Sequence, residues 1–274
     1  MVEKLSGEPD RAVAEAIGAL SVRRQGDSWI GEMPVMSRRA VFGGFLVGQA
    51  VIAATREAPD GRQLHSLHAY FLRPVLEGTP VVYRITSLRE GRTIVQRRLD
   101  AEQDGKHVLT MAFSFAADSD GYEYQPASNA TATGPDRASD RRYGPWEMVV
   151  LGPSPVEVDG SRRSTSRMWF RTSAPLPDDP HLHTALTAYA TDITQTGARP
   201  LHLEGDTRGI VSLDHAVWFH RPMRADAWSW YDVSSVINAG GRGLLRGAMY
   251  SAEGSLCASA AQETILRRYE DVQL

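Results

Sequence analysis

One acidic residue in the second half of the chain stands where an apolar residue is expected. Asp192 follows Ala185, Leu186 and Tyr189 at helical spacing, which predicts that it lies on or beside the buried face of a helix, near its C-terminal end. A carboxylate in that position opposes the helix dipole and is partly desolvated, so its pKa should be raised. Such a group can act as a general base. The competing interpretation is an Asp at a fraying helix end that hydrogen-bonds to solvent.

Two neutral polar residues could assist that carboxylate. Ser212 lies in "GIVSLDHAVWFH", where strand alternation predicts the same face as Asp214, Trp218 and His220. Gln262 interrupts the strand "CASAAQETI", whose small same-face neighbours leave space around the amide for packing or for a ligand. Taken singly, each of these residues is more often structural than catalytic.

The first half of the chain offers glycines where the second half offers an acid. No acidic residue occurs between Val41 and Arg56, whereas Gly43 and Gly44 open a helical pattern there. Exposed backbone N–H groups at the start of a helix bind anions and polarised oxygens. If the two halves face each other, we expect a single active site, with a carboxylate from the second helix and backbone N–H groups near Gly43 and Gly44 from the first.

Several chemistries are disfavoured by the motifs that the sequence lacks. The chain has no G-x-S-x-G nucleophile elbow, no phosphate-binding P-loop and no H-E-x-x-H zinc pair. Two histidine pairs lie on predicted strands, His65 with His68 and His215 with His220. The members of each pair are an odd number of residues apart, so they should point to opposite faces of the strand. We therefore expect no metal site and no cofactor.

The elements that must position these residues occur in the same order twice. Each half reads as a strand, a long helix and then several antiparallel strands. This pattern predicts an α+β fold of two tandem units, each a long helix wrapped by an antiparallel β-sheet, with the two sheets paired edge to edge. We expect the N-terminal unit at 1–118, a connecting segment at 119–163 and the C-terminal unit, which carries the polar residues, at 164–274.

Three landmarks recur at nearly constant separation and indicate a duplication. Arg73 and Arg221, each followed by proline after an aromatic strand, lie 148 positions apart. Arg92 and Arg242 each follow a glycine and lie 150 positions apart, and the hairpin glycines at 105 and 254 lie 149 apart. Chance alignment of three landmarks is improbable, so the halves are interpreted as two copies of one unit.

Composition describes an ordinary globular protein. The chain has 274 residues, 42% of them hydrophobic, and a net charge of −3, which gives no electrostatic reason to expect a nucleic-acid partner. Cys257 is the only cysteine, so no intrachain disulfide is expected. The N-terminal segment is not typical of a secretory signal, no apolar run is long enough to cross a bilayer, and the terminal "EDVQL" is not a peroxisomal address. A cytoplasmic location without membrane insertion is predicted.

Six motifs together closely resemble the type II acyl-CoA thioesterases, the double hotdog enzymes of bacteria and peroxisomes: "VFGGFLVGQA", "LHSLHAYFLRP", "YATD", "SLDHAVWFHRP", "RGLLRGAMYS" and "ASAAQE". The resemblance covers nearly the whole chain. It implies a double hotdog fold, an acyl-CoA substrate, no cofactor, and association of two or four chains. In this family an Asp, a Thr or Ser, and a Gln activate a water molecule, which by motif position implies Asp192, Ser212 and Gln262.

The resemblance also implies a reaction, namely hydrolysis of a fatty acyl-CoA to the free acid and CoA. Asp192 would be the general base, and an N–H near Gly43 or Gly44 would polarise the thioester carbonyl. Ser212 stands where many relatives have Thr, which keeps the hydroxyl and drops a methyl group. Direct attack by Asp192 through a mixed anhydride is a chemical alternative. A catalytically silent acyl-CoA-binding protein and an enoyl-thioester hydratase are the alternative functions.

Overall fold

A computed structural model describes residues 9–35, 41–125, 135, 139, 141–158, 161–193 and 210–266 of the chain. It contains three helices within those ranges: α1 (Pro9–Leu20), α2 (Gly43–Arg56) and α3 (Pro180–Ile193). The Asp179 carboxylate caps helix α3 by accepting the backbone N–H of His181 at 2.9 Å, and Pro180 occupies the first turn. In the described part of the chain, no helix is both long and apolar enough to cross a membrane.

The first half of the chain contributes six strands to the described structure and the second half contributes eight. The strands of the first half are β1 (Val22–Gln25), β2 (Ser28–Gly31), β3 (Arg62–Phe71), β4 (Val81–Glu90), β5 (Ile94–Gln103) and β6 (Lys106–Ala117). The second half contributes β7 (Arg141–Tyr143), β8 (Trp146–Val158), β9 (Ser161–Thr172), β10 (Ile210–Ser212), β11 (Asp214–Phe219), β12 (Ser229–Ala239), β13 (Arg242–Ser251) and β14 (Leu256–Leu266).

The fourteen strands of the described ranges belong to one antiparallel sheet, as the predicted edge-to-edge pairing requires. The strand order is β1-β2-β4-β5-β6-β3-β11-β14-β13-β12-β9-β8-β7, with β10 also paired to β14. The seam between the halves is the pair β3 and β11, in which Val217 lies opposite Leu67. Outward from the seam, β3 is followed by β6, β5 and β4, and β11 is followed in the same way by β14, β13 and β12, so the two halves repeat one strand order. The α+β prediction is therefore confirmed.

The repeated Arg-Pro motif has the same structural role in both halves. The Arg73 guanidinium donates to the carbonyl of His107 at 2.6 Å, and Arg221 donates to the carbonyl of Leu256 at 3.0 Å. Each accepting residue lies at the beginning of the strand that pairs with the strand preceding the arginine. Proline then ends the ladder because it has no N–H to donate. The motif thus terminates the seam strands of both copies.

Two buried tyrosines, 148 positions apart, tie each half of the sheet to its helix. Tyr83 and Tyr231 are both fully buried. The Tyr83 hydroxyl donates to Oε1 of Gln49 in α2 at 2.7 Å, and the Tyr231 hydroxyl donates to the carbonyl of Thr191 in α3 at 3.1 Å. The second contact holds the backbone immediately before Asp192, the candidate base.

Helices α2 and α3 pack closely against each other in antiparallel fashion. A side chain at Gly44 would lie 2.8 Å from the carbonyl of Tyr189, and one at Gly48 would lie 3.5 Å from that of Ala185. Two glycines one turn apart therefore let the backbones approach. As a result the N-terminal end of α2 lies beside the C-terminal end of α3, where Asp192 is found.

The predicted connecting segment needs one correction. Residues 141–158 and the first residues of β9 lie within the range 119–163 but form strands that extend the sheet of the second half. The fading periodicity was misleading because Gly152, Pro153 and Pro155 interrupt the alternation inside β8. Much of the remaining segment, including residues 126–134, lies outside the described residues. The division of the chain into two units stays a prediction.

Candidate active site

The carboxylate of Asp192 is buried between the two helices. Its residue is 3% exposed and lies in the last turn of α3, so the interpretation as a solvent-bonded helix end is excluded. The backbone N–H of Gly44, at the start of α2, donates to this carboxylate. A side chain at Gly43 would come within 3.0 Å of its Oδ2 atom. The positive end of α2 therefore compensates part of the unfavourable dipole of α3.

Burial determines the acidity of this group. Desolvation raises the pKa of Asp192 to about 6, although hydrogen bonds from Gln262, Gly44 and Ser212 lower it by stabilising the anion. The balance keeps the carboxylate ionised at neutral pH with an affinity for protons well above that of an exposed Asp. A base with a pKa near the working pH is suited to accept a proton from water.

Gln262 and Ser212 meet at this carboxylate. The Gln262 side chain is 1% exposed, and its Nε2 donates to Oδ1 of Asp192 at 2.8 Å. The same nitrogen lies 2.5 Å from Oγ of Ser212. The Ser212 hydroxyl also hydrogen-bonds to the Asp192 carboxylate. The three residues that sequence analysis selected from a helix and two strands are thus brought into one cluster.

The face predicted for Ser212 was wrong. The ladder between β10 and β14 pairs Ser212 with Thr264, whereas β11 pairs Ala216 with Ala261, so the register shifts by one residue between them. This irregularity at Leu213 turns Ser212 to the inner face with Gln262, while Trp218 stays on the outer face. The first half has an irregularity at the same place, between Leu64 and Ser66.

A carboxylate holds the irregularity in place. Oδ1 of Asp214 accepts the backbone N–H of Glu263 at 2.7 Å, and the Leu213 N–H donates to the Glu263 carbonyl at 2.9 Å. Glu263 is the residue after Gln262, so this contact fixes both strands on which the cluster depends. Asp214 therefore positions Ser212 and Gln262 without touching the inner face itself.

We expect Asp214→Ala to lower stability and to weaken the cluster. The substitution leaves the Glu263 N–H without its acceptor, a loss of about 1 to 3 kcal/mol in the free energy of unfolding. Asp214→Asn keeps a carbonyl oxygen at the same place and should lose less than half of that amount. Urea denaturation of both variants measures the difference. Equal stability of the wild type and Asp214→Ala would contradict the assigned role.

Gly43 and Gly44 both lie beside the Asp192 carboxylate, and the backbone N–H of Gly44 is already used by it. Gly44 is buried and its N–H donates to Asp192, so in this structure that N–H is not free for a substrate carbonyl. Gly43 is half-buried and lies beside the Asp192 carboxylate and the ring of Phe71. A role of the Gly43 amide towards the substrate stays a prediction.

The equivalent place in the first half is filled with apolar side chains. At separations of 148 or 149 positions, the counterparts of Ser212, His215 and Gln262 are Leu64, Leu67 and Phe113, each at most 8% exposed. The ring of Phe113 also stacks on that of Phe115. Among the residues that the structure describes at this place, the packing is apolar and forms no polar cluster, which agrees with a single site per chain.

Sequence reasoning considered His215 only as a metal ligand and missed its position beside the site. His215 is 1% exposed and its Nε2 lies 2.8 Å from the hydroxyl of Thr191, whereas His220 is exposed, as the odd spacing predicted. The sequence signal for this position was that His215 lies two residues before the inward-facing Val217, so both side chains point to the same face of β11. No cluster of three His, Cys, Asp or Glu side chains with metal-binding geometry occurs among the described residues.

Comparisons with known proteins agree across both halves of the chain. The profile of the family described as "Acyl-CoA thioesterase" matches residues 138–265, and that of the "Acyl-CoA thioesterase N-terminal domain" matches residues 32–116. The chain is 30% identical over 262 residues to acyl-CoA thioesterase 2 of Haemophilus influenzae, covering 86% of this chain and 91% of that protein.

Solved structures give the same result. An acyl-CoA thioesterase II, TesB2, from Mycobacterium marinum superposes with a TM-score of 0.82 at 33% identity, covering 94% of this chain and all of that one. A conserved protein with a hot dog fold from Alicyclobacillus acidocaldarius superposes with a TM-score of 0.73 over 93% of this chain and 98% of that one; at 18% identity it bears on the fold alone. The predicted double hotdog fold is therefore confirmed.

Proposed function

The chain belongs to the acyl-CoA thioesterase family and is a thioester hydrolase, and we propose that it hydrolyses fatty acyl-CoA with water activated by Asp192, Ser212 and Gln262. The observation that carries the proposal is the buried Asp192 carboxylate, which accepts the Gln262 amide at 2.8 Å beside the Ser212 hydroxyl. A base, a donor and a hydroxyl converge in a setting where only the base changes its protonation near neutral pH.

The proposed reaction begins with a water molecule hydrogen-bonded to Asp192. The carboxylate takes one proton from this water while the oxygen attacks the thioester carbonyl. The tetrahedral intermediate collapses with cleavage of the carbon–sulfur bond, and the proton held by Asp192 passes to the departing thiolate. The products are the free acid and CoA with its thiol, so the enzyme returns to its starting state without any redox partner.

The neutral partners have separate tasks in this scheme. Ser212 and Gln262 orient the attacking water and keep the carboxylate in one position, which reduces the entropy cost of the step. The amide of Gly43 is the proposed donor to the carbonyl oxygen, on which negative charge develops. Its location beside Asp192 is compatible with a carbonyl bound within reach of the activated water.

The function is tested by following free thiol while purified protein acts on acyl-CoAs of graded chain length. We expect CoA release with at least one chain length, with a rate that rises through an acid limb near pH 6 because Asp192 must be ionised. Binding of acyl-CoA without thiol release would support the silent binding protein. Addition of water to an enoyl-CoA without thiol release would support the hydratase.

Geometry argues against the hydratase, which requires an Asp and a His acting together. His183 precedes Asp192 by nine residues, about 14 Å along a helix axis. Its Nδ1 accepts the backbone N–H of Ala225 at 3.1 Å, so its lone pair is occupied at the other end of α3. His215 carries no charge near neutral pH, because burial lowers its pKa to about 4.

Direct attack by Asp192 is separated from base catalysis by isotope labelling. A single turnover in ¹⁸O-labelled water transfers the label to the free acid if water attacks the thioester. An anhydride intermediate that is hydrolysed at its Asp192 carbonyl instead places label in the Asp192 carboxylate, which mass spectrometry of the peptide detects. An anhydride that is hydrolysed at its acyl carbonyl is detected by adding hydroxylamine, which converts the acylated Asp192 to a hydroxamate or releases the acyl group as one. We expect labelled product and unlabelled Asp192. Association of two or four chains and a cytoplasmic location stay predictions.

A further inference from the structure

The Gln262 amide has nearly the same shape in either of its two orientations, so something other than packing must select one. In the observed orientation, both hydrogens of Nε2 are used, one towards Asp192 and one towards Ser212. Rotation by 180° would place Oε1 against the Asp192 carboxylate, where two acceptors repel. Asp192 selects this amide orientation only while Asp192 is ionised. In the proposed reaction Asp192 becomes protonated in each turnover, so another group must hold the amide during that time.

The oxygen of this amide, Oε1, has no hydrogen-bond donor in the part of the chain that the structure describes. Oε1 of Gln262 is buried, and within the described residues no group is in hydrogen-bonding geometry with it; the same is true of Nδ1 of His215. A buried carbonyl oxygen without a donor is costly, of the order of 1 to 3 kcal/mol. The two side chains are nevertheless neighbours, because the register that pairs Ala216 with Ala261 places His215 opposite Gln262 on the adjacent strand, and both residues are buried. Burial lowers the pKa of His215, and the Gln262 side chain raises it by less. A raised pKa is the effect of an oxygen that accepts from the imidazole.

The remaining ring nitrogen of His215 determines which tautomer is present. Nε2 lies 2.8 Å from Oγ1 of Thr191, whose hydroxyl is also within donating distance of the Ala188 carbonyl, at 2.7 Å, so these two acceptors compete for its proton. The Thr191 hydroxyl has one proton, and the Ala188 carbonyl is a helix carbonyl that already has an amide partner one turn later. If Thr191 donates to Nε2, the neutral imidazole carries its proton on Nδ1 and can donate it to Gln262. The other tautomer leaves Nδ1 and Oε1 as two facing acceptors.

We propose that His215 is a positioning residue, which holds the Gln262 amide in its catalytic orientation by donating its Nδ1 proton to Oε1. The inference deepens the proposed hydrolysis and rests on it. Thr191, His215 and Gln262 then form a chain of donors that ends at the Asp192 carboxylate. Asp214 is the other charged group that acts on His215, and it is on the opposite face of β11.

The duplication supplies a substitution that the fold accepts. Leu67 occupies the equivalent place in the first half, 148 positions earlier, and is fully buried opposite Val217. His215→Leu therefore removes both ring nitrogens with a side chain that the other copy packs at this position. His215→Asn is the complementary variant, because an Asn amide reaches the place of Nδ1 and can donate to Oε1.

We expect His215→Leu to lower kcat by about tenfold to a hundredfold, a range typical of residues that orient a catalytic group, with little change in KM. The acid limb of the pH–rate profile should move to higher pH, because a Gln262 amide that rotates by 180° no longer stabilises the Asp192 anion. His215→Asn should restore most of kcat and return the acid limb to its wild-type pH. His220→Leu, a change at an exposed histidine nearby, should leave both unchanged.

A loss of activity in His215→Leu with an unmoved acid limb and no rescue by Asn would overturn the proposal and leave a packing role. A spectroscopic measurement keeps the test independent of activity. Nitrogen-15 NMR of histidine-labelled protein reports which ring nitrogen carries the proton, and we expect Nδ1–H for His215. An Nε2–H tautomer contradicts the inference even in an active enzyme. Failure of the wild type to release thiol would instead reject the proposed function.

Discussion

Asp192→Asn is expected to lower kcat for thioester hydrolysis by about 10² to 10⁴-fold, the usual contribution of a positioned general base. The change keeps the shape of the side chain and an oxygen that accepts the Gln262 amide, but it removes the ability to take a proton from water. KM should change little, because the group acts on the water and not on the acyl chain. Steady-state thiol release across pH measures the effect, and the acid limb near pH 6 should disappear with the activity.

The same substitution should make the protein more stable at neutral pH. Because the pKa of Asp192 is raised to about 6 in the folded state, the folded protein holds this proton more tightly than the unfolded chain. Ionisation of Asp192 therefore lowers the free energy of unfolding. This loss is absent below pH 4, grows between pH 4 and pH 6 and is complete above pH 6. A shift of about two units corresponds to about 3 kcal/mol. Denaturation of Asp192→Asn should show that gain at pH 8 and almost none at pH 4.

Asp232 provides the control for the activity measurement. Burial also raises the pKa of Asp232, which pairs with Arg167 on the outer face of the sheet. Asp232→Asn should leave kcat and the acid limb as they are in the wild type. If the two Asn variants lose activity equally, or if Asp192→Asn keeps wild-type kcat, Asp192 is not the base.

Gln262→Glu is expected to lower kcat at pH 7 by about 10² to 10³-fold, the cost of removing one preorganised donor. The substitution replaces the Nε2 donor with an oxygen 2.8 Å from Oδ1 of Asp192. Two carboxyl groups at that distance cannot both ionise, so they share a proton and one pKa rises strongly. The acid limb should move up by more than about one pH unit, with partial recovery of activity in alkaline buffer.

A buried amide elsewhere serves as the comparison. Gln103 bonds to the backbone of Leu76 and Thr79 in the first half, far along the chain from the cluster. Gln103→Glu should lower the melting temperature without moving the acid limb. A Gln262→Glu enzyme with an unshifted limb would mean that the amide does not act on Asp192 during turnover.

Local sequence patterns determined much of this protein. Helical spacing identified Asp192 as a buried acid because the 3.6-residue period of one helix is enough to tell its faces apart. The recurring Arg73 and Arg221 identified the duplication, since equivalent residues end equivalent strands. The hairpin at Gly105, which adopts φ of 71°, was also readable because it depends on neighbouring residues alone.

Only the tertiary structure decided how these residues meet. The face of Ser212 depends on an irregularity at Leu213 that is held by the contact of Asp214 with Glu263, 49 positions away, and alternation along one strand contains no information about that contact. The use of the Gly44 amide by Asp192 follows from the close antiparallel packing of two helices from different halves. Local periods report which way a residue points relative to its neighbours, whereas the geometry of a cluster is set by contacts between distant segments.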